Sequence, residues 1–291
     1  MNLRVSARSD KRKSELPRGS DNINFREKVM NSREKVMNSK EKVMKMNNKL
    51  RITTILVTAL MTQQATAAIA LDRTRAILNG GDKSISLNIS NQNKELPYLA
   101  QGWIEDEQGN KINSPLTVVP PVQRVEPGAM SQLKIQSLPA VNQLAQDRET
   151  LFYFNLREIP PRSDKPNTLQ IALQTRIKLF YRPAGIVPQK ADMSTPWQEK
   201  LQLTRQGDRY QVNNPTPYYI TLVDASESKT GKTAAGFKPL MIAPKAQGML
   251  DVSAAALGSK PVLTYVNDFG GRPKLIFGCT GSTCSVVESI K

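Results

Sequence analysis

Between residues 169 and 181 large apolar side chains return at every other position: Leu169, Ile171 and Leu173, then Ile177, Leu179 and Tyr181. Polar residues such as Gln170 and Gln174 fall between them. Successive side chains of a strand point to opposite faces, so this pattern predicts a strand with one apolar face. Strands usually run about 5–6 residues, and this one is longer. A long apolar strand that another chain can pair with is normally an aggregation hazard. In this chain it reads as a working surface.

Short alternating runs recur on both sides of it, among them Ser84–Ile89, Leu99–Ile104, Leu133–Ile135, Leu151–Leu156, Tyr218–Val223 and Val262–Val266. Turn formers separate them: Asn79-Gly80-Gly81, Pro120-Pro121, Pro127-Gly128, Pro160-Pro161, Asn214-Pro215 and Gly270-Gly271. Helical periodicity is nearly absent, with a turn or two at residues 140–148. Many short strands at this spacing predict an all-β sandwich fold. The segment from Arg182 to Pro188 ends the long strand and reads as a connector. It divides the chain into two sandwich-sized domains, 68–185 and 186–291.

Residues 46–67 read as a secretory signal peptide: a basic start (MNNKLR), the apolar stretch Ile52–Met61, and a small-residue exit at Ala65-Thr66-Ala67. The apolar stretch is shorter than the about 20 residues a membrane span needs. The mature chain is therefore expected to start at Ala68 and not to insert in a membrane. Upstream, REKVMNS at 26–32 recurs at 33–39 and again, as KEKVMKM, at 40–46. Its Val and Met are adjacent rather than spaced as the a and d positions of a coiled coil. Residues 1–45 are set apart as a basic extension or an over-extended gene start.

The whole chain has a formal net charge of +16, but residues 1–67 hold 15 of the Lys/Arg and 6 of the Asp/Glu. The other 26 basic and 19 acidic residues are scattered along the sequence. No basic run or reader motif of a nucleic-acid-binding protein is visible. Mild positive charge suits a partner with acidic groups. Cys279 and Cys284 stand close together in GCTGSTCS, and in a secreted chain a disulfide is the default for such a pair. A zinc site needs about four ligands, and the chain has no histidine to add to the two cysteines.

The lack of histidine also removes the commonest general base. Gly231-Lys232-Thr233 looks like the end of a phosphate loop, but Ser226 stands where that loop needs its first glycine. Asp268-Phe269-Gly270 matches a kinase motif without the kinase catalytic loop or Gly-rich loop, and reads as a hairpin turn. Glu105 and Glu107 read as surface-loop carboxylates. The chain is expected to be no enzyme and to need no metal or cofactor.

Several long segments are similar to a single family: LDRTRAIL (71–78), ISNQNKELPYLAQGWIED (89–106), PPVQRVEPG (120–128), QDRETLFYFNLREIPPRS (146–163), LQIALQTRIKLFYRP (169–183), NPTPYY (214–219) and YVNDFGGRP (265–273). From about Ala68 to Val287 the mature chain resembles the periplasmic pilus chaperones of the chaperone–usher pathway. The resemblance implies two immunoglobulin-like β-sandwich domains at an angle, with an inter-domain cleft. It also implies a periplasmic chaperone that binds pilin subunits, lends each a strand, and delivers it to the outer-membrane usher for fimbrial assembly. No nucleotide is needed, because the next subunit's extension replaces the lent strand. The alternative class is a secreted two-domain immunoglobulin-like adhesin or binding module.

Roles follow from the same resemblance, position by position. Arg75 and Lys178 match two cleft cations that grip the pilin's C-terminal carboxylate. Leu169, Ile171 and Leu173 match the strand that completes the pilin's unfinished sandwich, a mode in which backbone pairing gives affinity and alternate side chains give specificity. Self-association would cap that strand when no pilin is bound. Glu149, Arg182 and Asp268 match a charged trio linking the two domains, and Cys279 with Cys284 a disulfide that some members have. The short connection between the strands carrying Phe154 and Leu169 resembles the subgroup that serves rod-like pili. Period two puts Lys178 on the face opposite Leu173, so a bulge or strong twist between them is expected.

Overall fold

The computed structural model describes residues 67–164, 167–189 and 195–290, together with Lys35 and Met37. The signal peptide assigned to 46–67 and the extension at 1–45 otherwise lie outside the described residues. The first domain contains strands β1 (Ile69–Leu71), β2 (Arg75–Asn79), β3 (Ser84–Asn91), β4 (Tyr98–Glu105), β5 (Lys111–Ile112), β6 (Leu116–Val119), β7 (Val122–Val125), β8 (Met130–Ser137), β9 (Thr150–Ile159) and β10 (Gln174–Arg182). They form a four-stranded sheet, β1-β3-β8-β6, and a six-stranded sheet, β2-β10-β9-β4-β5 with β7 also on β4. The alternating residues of both sheets point inward and make one core. Leu87, Ile89, Leu133, Ile135, Phe154 and Leu179 are all buried there. Burying each such side chain contributes about 1.5–3 kcal/mol. At residues 140–148 the weak helical signal is a short 3-10 turn, Pro139–Gln143. The Ser114–Pro115 and Val119–Pro120 peptide bonds are cis.

Strand β10 is shorter than the alternation predicts. Its register on β9 starts at Gln174↔Arg157 and runs without a shift to Tyr181↔Thr150. One further backbone bond, from the Glu158 N–H to the Leu173 carbonyl (3.0 Å), extends the ladder. β9 stops at Ile159, so the residues before Leu173 pair with no strand among the described residues. Leu169 and Ile171 are 83 % and 63 % exposed and Leu173 is 37 % exposed, so none fills the core of its own domain.

Of the bulge or strong twist expected between Leu173 and Lys178, the bulge is absent, since the register on β9 does not shift. Ile177, Leu179 and Tyr181 turn into the core, while Arg176, Lys178 and Phe180 occupy the other face. No bulge is needed, because Lys178 reaches across to the second domain and does not share a face with the apolar residues.

The second domain is a single eight-stranded sheet in the order β14-β13-β16-β17-β18-β11-β12-β15. Its strands are β11 (Gln202–Gln206), β12 (Arg209–Asn214), β13 (Ile220–Ser226), β14 (Leu240–Ile242), β15 (Ala246–Ser253), β16 (Val262–Tyr265), β17 (Lys274–Thr280) and β18 (Thr283–Ile290). Leu203, Val212, Leu222, Leu263, Leu275 and Phe277 form its core. Cys279 and Cys284 face each other across the β17–β18 hairpin and form a disulfide.

The segment NPTPYY builds the turn into β13. The Asn214 side chain donates to the Tyr218 carbonyl (2.8 Å) and accepts from the Thr216 N–H (3.1 Å) and hydroxyl (2.7 Å). Asn214 is fully buried, so these bonds supply the partners its amide needs. They fix the turn whose Pro217 carbonyl and Tyr219 N–H meet the first domain.

Candidate functional site

β2 lies parallel to β10, and its first residue, Arg75, pairs with Lys178. Both side chains cross to the second domain. An Arg75 guanidinium N–H donates to the Val266 carbonyl (3.1 Å), and the Lys178 ammonium donates to the Thr221 hydroxyl (3.0 Å). The Arg75 Nε is buried without a hydrogen-bond partner among the described residues. Burial lowers the Arg75 pKa from its ordinary value, while Asp268 and Glu149 pull it back up. Burial, with Arg75 as a like-charged neighbour, brings the Lys178 pKa down to about 8. Two cations that have lost water and donate only to neutral acceptors have the chemistry to accept an anion.

They border a cavity of about 300 Å³, lined also by Thr74, Arg176, Thr221, Val266 and Arg272, with no acidic residue in its lining among the described residues. Four of the cations that look scattered along the sequence, Arg75, Arg176, Lys178 and Arg272, are thus gathered here by the fold. Parallel pairing of β2 on β10 covers only Lys178 to Arg182. From Gln174 to Ile177, β10 has β9 on one side and no described strand on the other. Arg75 and Lys178 stand where this open edge closes.

Arg182 ends β10 and joins Glu149 and Asp268. Its Nε donates to Glu149 (2.8 Å) and another guanidinium nitrogen to Asp268 (2.9 Å). The planar fork lets one Arg side chain serve two carboxylates. The Glu149 carboxylate also accepts from the Tyr219 N–H (2.7 Å). Burial pushes the Glu149 carboxyl above the ordinary glutamate range, against the pull of Arg182 and the Tyr219 N–H. The guanidinium lies near the rings of Trp197 and Tyr218 (5.3 and 4.8 Å to the centroids).

Asp268 is carried on a turn built by Asn267, whose side-chain oxygen accepts from the N–H groups of Phe269 (3.1 Å) and Gly271 (2.8 Å). Gly270 in that turn has φ +85°, and a Cβ there would come 2.9 Å from the Thr74 hydroxyl of the first domain. The Asp-Phe-Gly sequence is therefore a structural turn against the neighbouring domain.

Some contributors carry no local sequence signal. Glu105 and Glu107, expected to be simple surface-loop residues, are both engaged: Arg176 donates to Glu105 (3.0 Å), and the Tyr219 hydroxyl donates to Glu107 (2.8 Å). Bonds from Trp103 and Arg176 hold the Glu105 carboxyl below its ordinary range despite the opposing effect of burial. Lys245 reaches Asp147 (2.6 Å) as a further link between the domains. Thr221 and Val266, which receive Lys178 and Arg75, lie within ordinary apolar runs, and only the folded pairing of domains distinguishes them.

Residues 68–187 match the family of pili and flagellar-assembly chaperones (PapD N-terminal domain), and residues 196–277 match the pili assembly chaperone PapD C-terminal domain. The chain belongs to this family of pilus assembly chaperones. It is 55 % identical over 237 residues to the probable fimbrial chaperone YfcS of Escherichia coli (strain K12), covering 81 % of this chain and 93 % of that one. Identity to the Escherichia coli chaperone protein PapD is 51 % over 223 residues, covering 76 % and 91 %. Among solved structures, the periplasmic chaperone SfaE superposes with a TM-score of 0.58 at 30 % identity, covering 73 % of this chain and all of that one. The Salmonella enterica SafB chaperone, solved in complex with the SafA pilin, gives 0.58 at 26 % identity, covering 72 % and 94 %. The relatives are chaperones, and the adhesin alternative is set aside.

Proposed function

We propose that the chaperone receives the C-terminal carboxylate of a pilin subunit between Arg75 and Lys178. The last strand of that subunit would add to the open edge of β10. The observation that carries this is the position of the two cations at the closed end of that edge, opposite the start of β2. A strand paired from residue 169 onward runs out of room at Arg75, and its chain end meets two partly desolvated cations. Every subunit has a terminal carboxylate, and charge-assisted bonds to it are worth about 1.5–3 kcal/mol each.

Leu169, Ile171 and Leu173 would fill the subunit's apolar groove from the same side. Their exposure in the free chain leaves them available for this. Glu149, Arg182 and Asp268 would hold the domains in the orientation that keeps the cleft open. On this reading residues 46–67 direct export, the mature chain works in the periplasm as domains 68–185 and 186–291, and loaded subunits pass to the outer-membrane usher. Neither catalysis nor a cofactor is required. The test is co-expression with a pilin in cells lacking pilus chaperones. Pilin should accumulate and co-purify with the wild-type chain and be lost with Arg75→Ala or Lys178→Ala. Normal pilin yield with either variant would overturn the anchor.

A further inference from the structure

We infer that Arg176 and Arg272 make the cleft a charge filter for the residues just before the subunit's chain end, excluding ends that carry lysine or arginine. This deepens the carboxylate-anchor reading and rests on it. Four cations line the cavity, Arg75, Arg176, Lys178 and Arg272, and no acidic residue does among the described residues. A single terminal carboxylate offsets one of those charges and Glu105 pairs with Arg176, which still leaves the cleft net positive towards the adjacent part of the bound chain. Glu105 engages Arg176 from the sheet side, and Glu149 and Asp268 are occupied by Arg182. Arg272 is exposed and has no ion-pair partner among the described residues.

Geometry adds direction to the charge count. Arg176 lies two residues before Lys178 on the same face of β10, alongside the open edge. A strand added to that edge places a side chain close to Arg176 within its last few residues, because opposed and diagonal neighbours in a sheet are in contact range. The guanidinium is oriented by its bond to Glu105 and by the Tyr153 ring, whose centroid is 3.4 Å away, although its side chain is exposed. Neutral, aromatic or acidic side chains fit beside it. A basic one meets repulsion from Arg176 and from the partly buried Arg75 and Lys178 next to it, and like-charge juxtaposition is how interfaces reject wrong partners.

The test uses fluorescein-labelled peptides of about twelve residues with alternating valine and threonine, a strand-forming pattern. One ends in neutral residues, one has glutamate and one lysine before the last residue, and a fourth is the neutral peptide with an amidated end. Fluorescence anisotropy against the intact wild-type chain should show the lysine peptide bound at least about tenfold more weakly than the neutral one. Most of that penalty should disappear in Arg176→Gln/Arg272→Gln, with binding of the neutral peptide still sensitive to amidation. Equal binding of lysine and neutral peptides to the wild-type chain, with amidation still abolishing binding, would overturn the filter and leave the anchor standing. If amidation made no difference, the anchor itself would be lost. Arg272→Gln alone, at an exposed position, gives a folded control that should remove part of the penalty.

Discussion

Lys178 pairs directly with Arg75 across two parallel strands, so two partly desolvated cations sit side by side with only neutral acceptors in reach. For Lys178 that arrangement works against the stability of the free protein: burial and its like-charged neighbour both disfavour the ammonium, whereas Arg75 is also attracted by Asp268 and Glu149. Replacing Lys178 by methionine keeps the aliphatic stem and removes the charge. We predict a rise in melting temperature of about 2–4 °C, the shift that about 1 kcal/mol gives in a chain of this size. Pilin binding should be lost at the same time. Calorimetry on the free variant checks the first part, and a melting point several degrees lower would make Lys178 a structural residue.

The Lys178 pKa of about 8 gives a pH dependence with opposite signs in the two states. An ammonium paired with a carboxylate keeps its proton to higher pH, so pilin binding takes up a proton once the free site has begun to lose it. Affinity should be flat below pH 8 and fall as pH rises above it. The free chaperone should behave the other way. Its folded pKa lies below the unfolded lysine value of about 10.4, so between those two values the unfolded state binds more protons and stability rises with pH. Isothermal titration and urea unfolding at pH 7, 8.5 and 9.5 would show both slopes. Affinity that stays level through this range would exclude a titrating Lys178 from the contact.

Much of this architecture is legible in the sequence because strand periodicity is local. The alternating runs at 84–89, 99–104 and 151–156 lie within β3, β4 and β9. Alternation alone could not show that β10 starts only at Gln174, since pairing depends on where β9 ends. The cationic cleft was equally hidden: Arg75 reaches Arg176 and Lys178 only through the pairing of β2 on β10, and Arg272 joins them only through the apposition of the two domains. Glu107 meets Tyr219 for the same reason, across 112 residues of chain. By contrast, Arg75, Lys178 and the trio of Glu149, Arg182 and Asp268 could be singled out only through resemblance to relatives. No propensity or spacing rule marks them.

The Glu149–Arg182 pair is buried, with side-chain exposures of 2 % and 5 %. Removing one partner of such a pair leaves an uncompensated charge and costs about 3–5 kcal/mol. Glu149→Ala should therefore lower stability by that order in urea unfolding. Asp268→Ala should cost distinctly less, because its side chain is 24 % exposed and water can replace it at Arg182. Equal losses for the two would mean that Asp268 contributes as a buried ion rather than a rim charge.

Gly270 tests the turn that carries Asp268. A residue with a side chain at φ +85° is strained, and its Cβ would also press on Thr74. Gly270→Ala should destabilise by about 1–2 kcal/mol. Thr74→Ala removes the steric part alone, so the double variant should recover some but not all of the loss. No recovery would place the whole effect in the backbone conformation.

Ile171 separates a lent strand from a core strand. At 63 % exposure it has little apolar surface to lose in the free chain, so Ile171→Asp should change unfolding stability by less than about 0.5 kcal/mol. In the complex the same side chain would be buried in the subunit, where losing an isoleucine removes about 1.5–3 kcal/mol and placing a carboxylate there costs more. Binding should weaken by at least about tenfold to a hundredfold. Leu179 is the control: it shares the alternation but is 0 % exposed, and Leu179→Asp should unfold the first domain. Circular dichroism of the free variants, followed by pilin co-purification, distinguishes the cases. An Ile171→Asp chain that is well folded and still retains pilin at wild-type yield would remove residues 169–173 from the contact and leave the two cations as the whole of the grip.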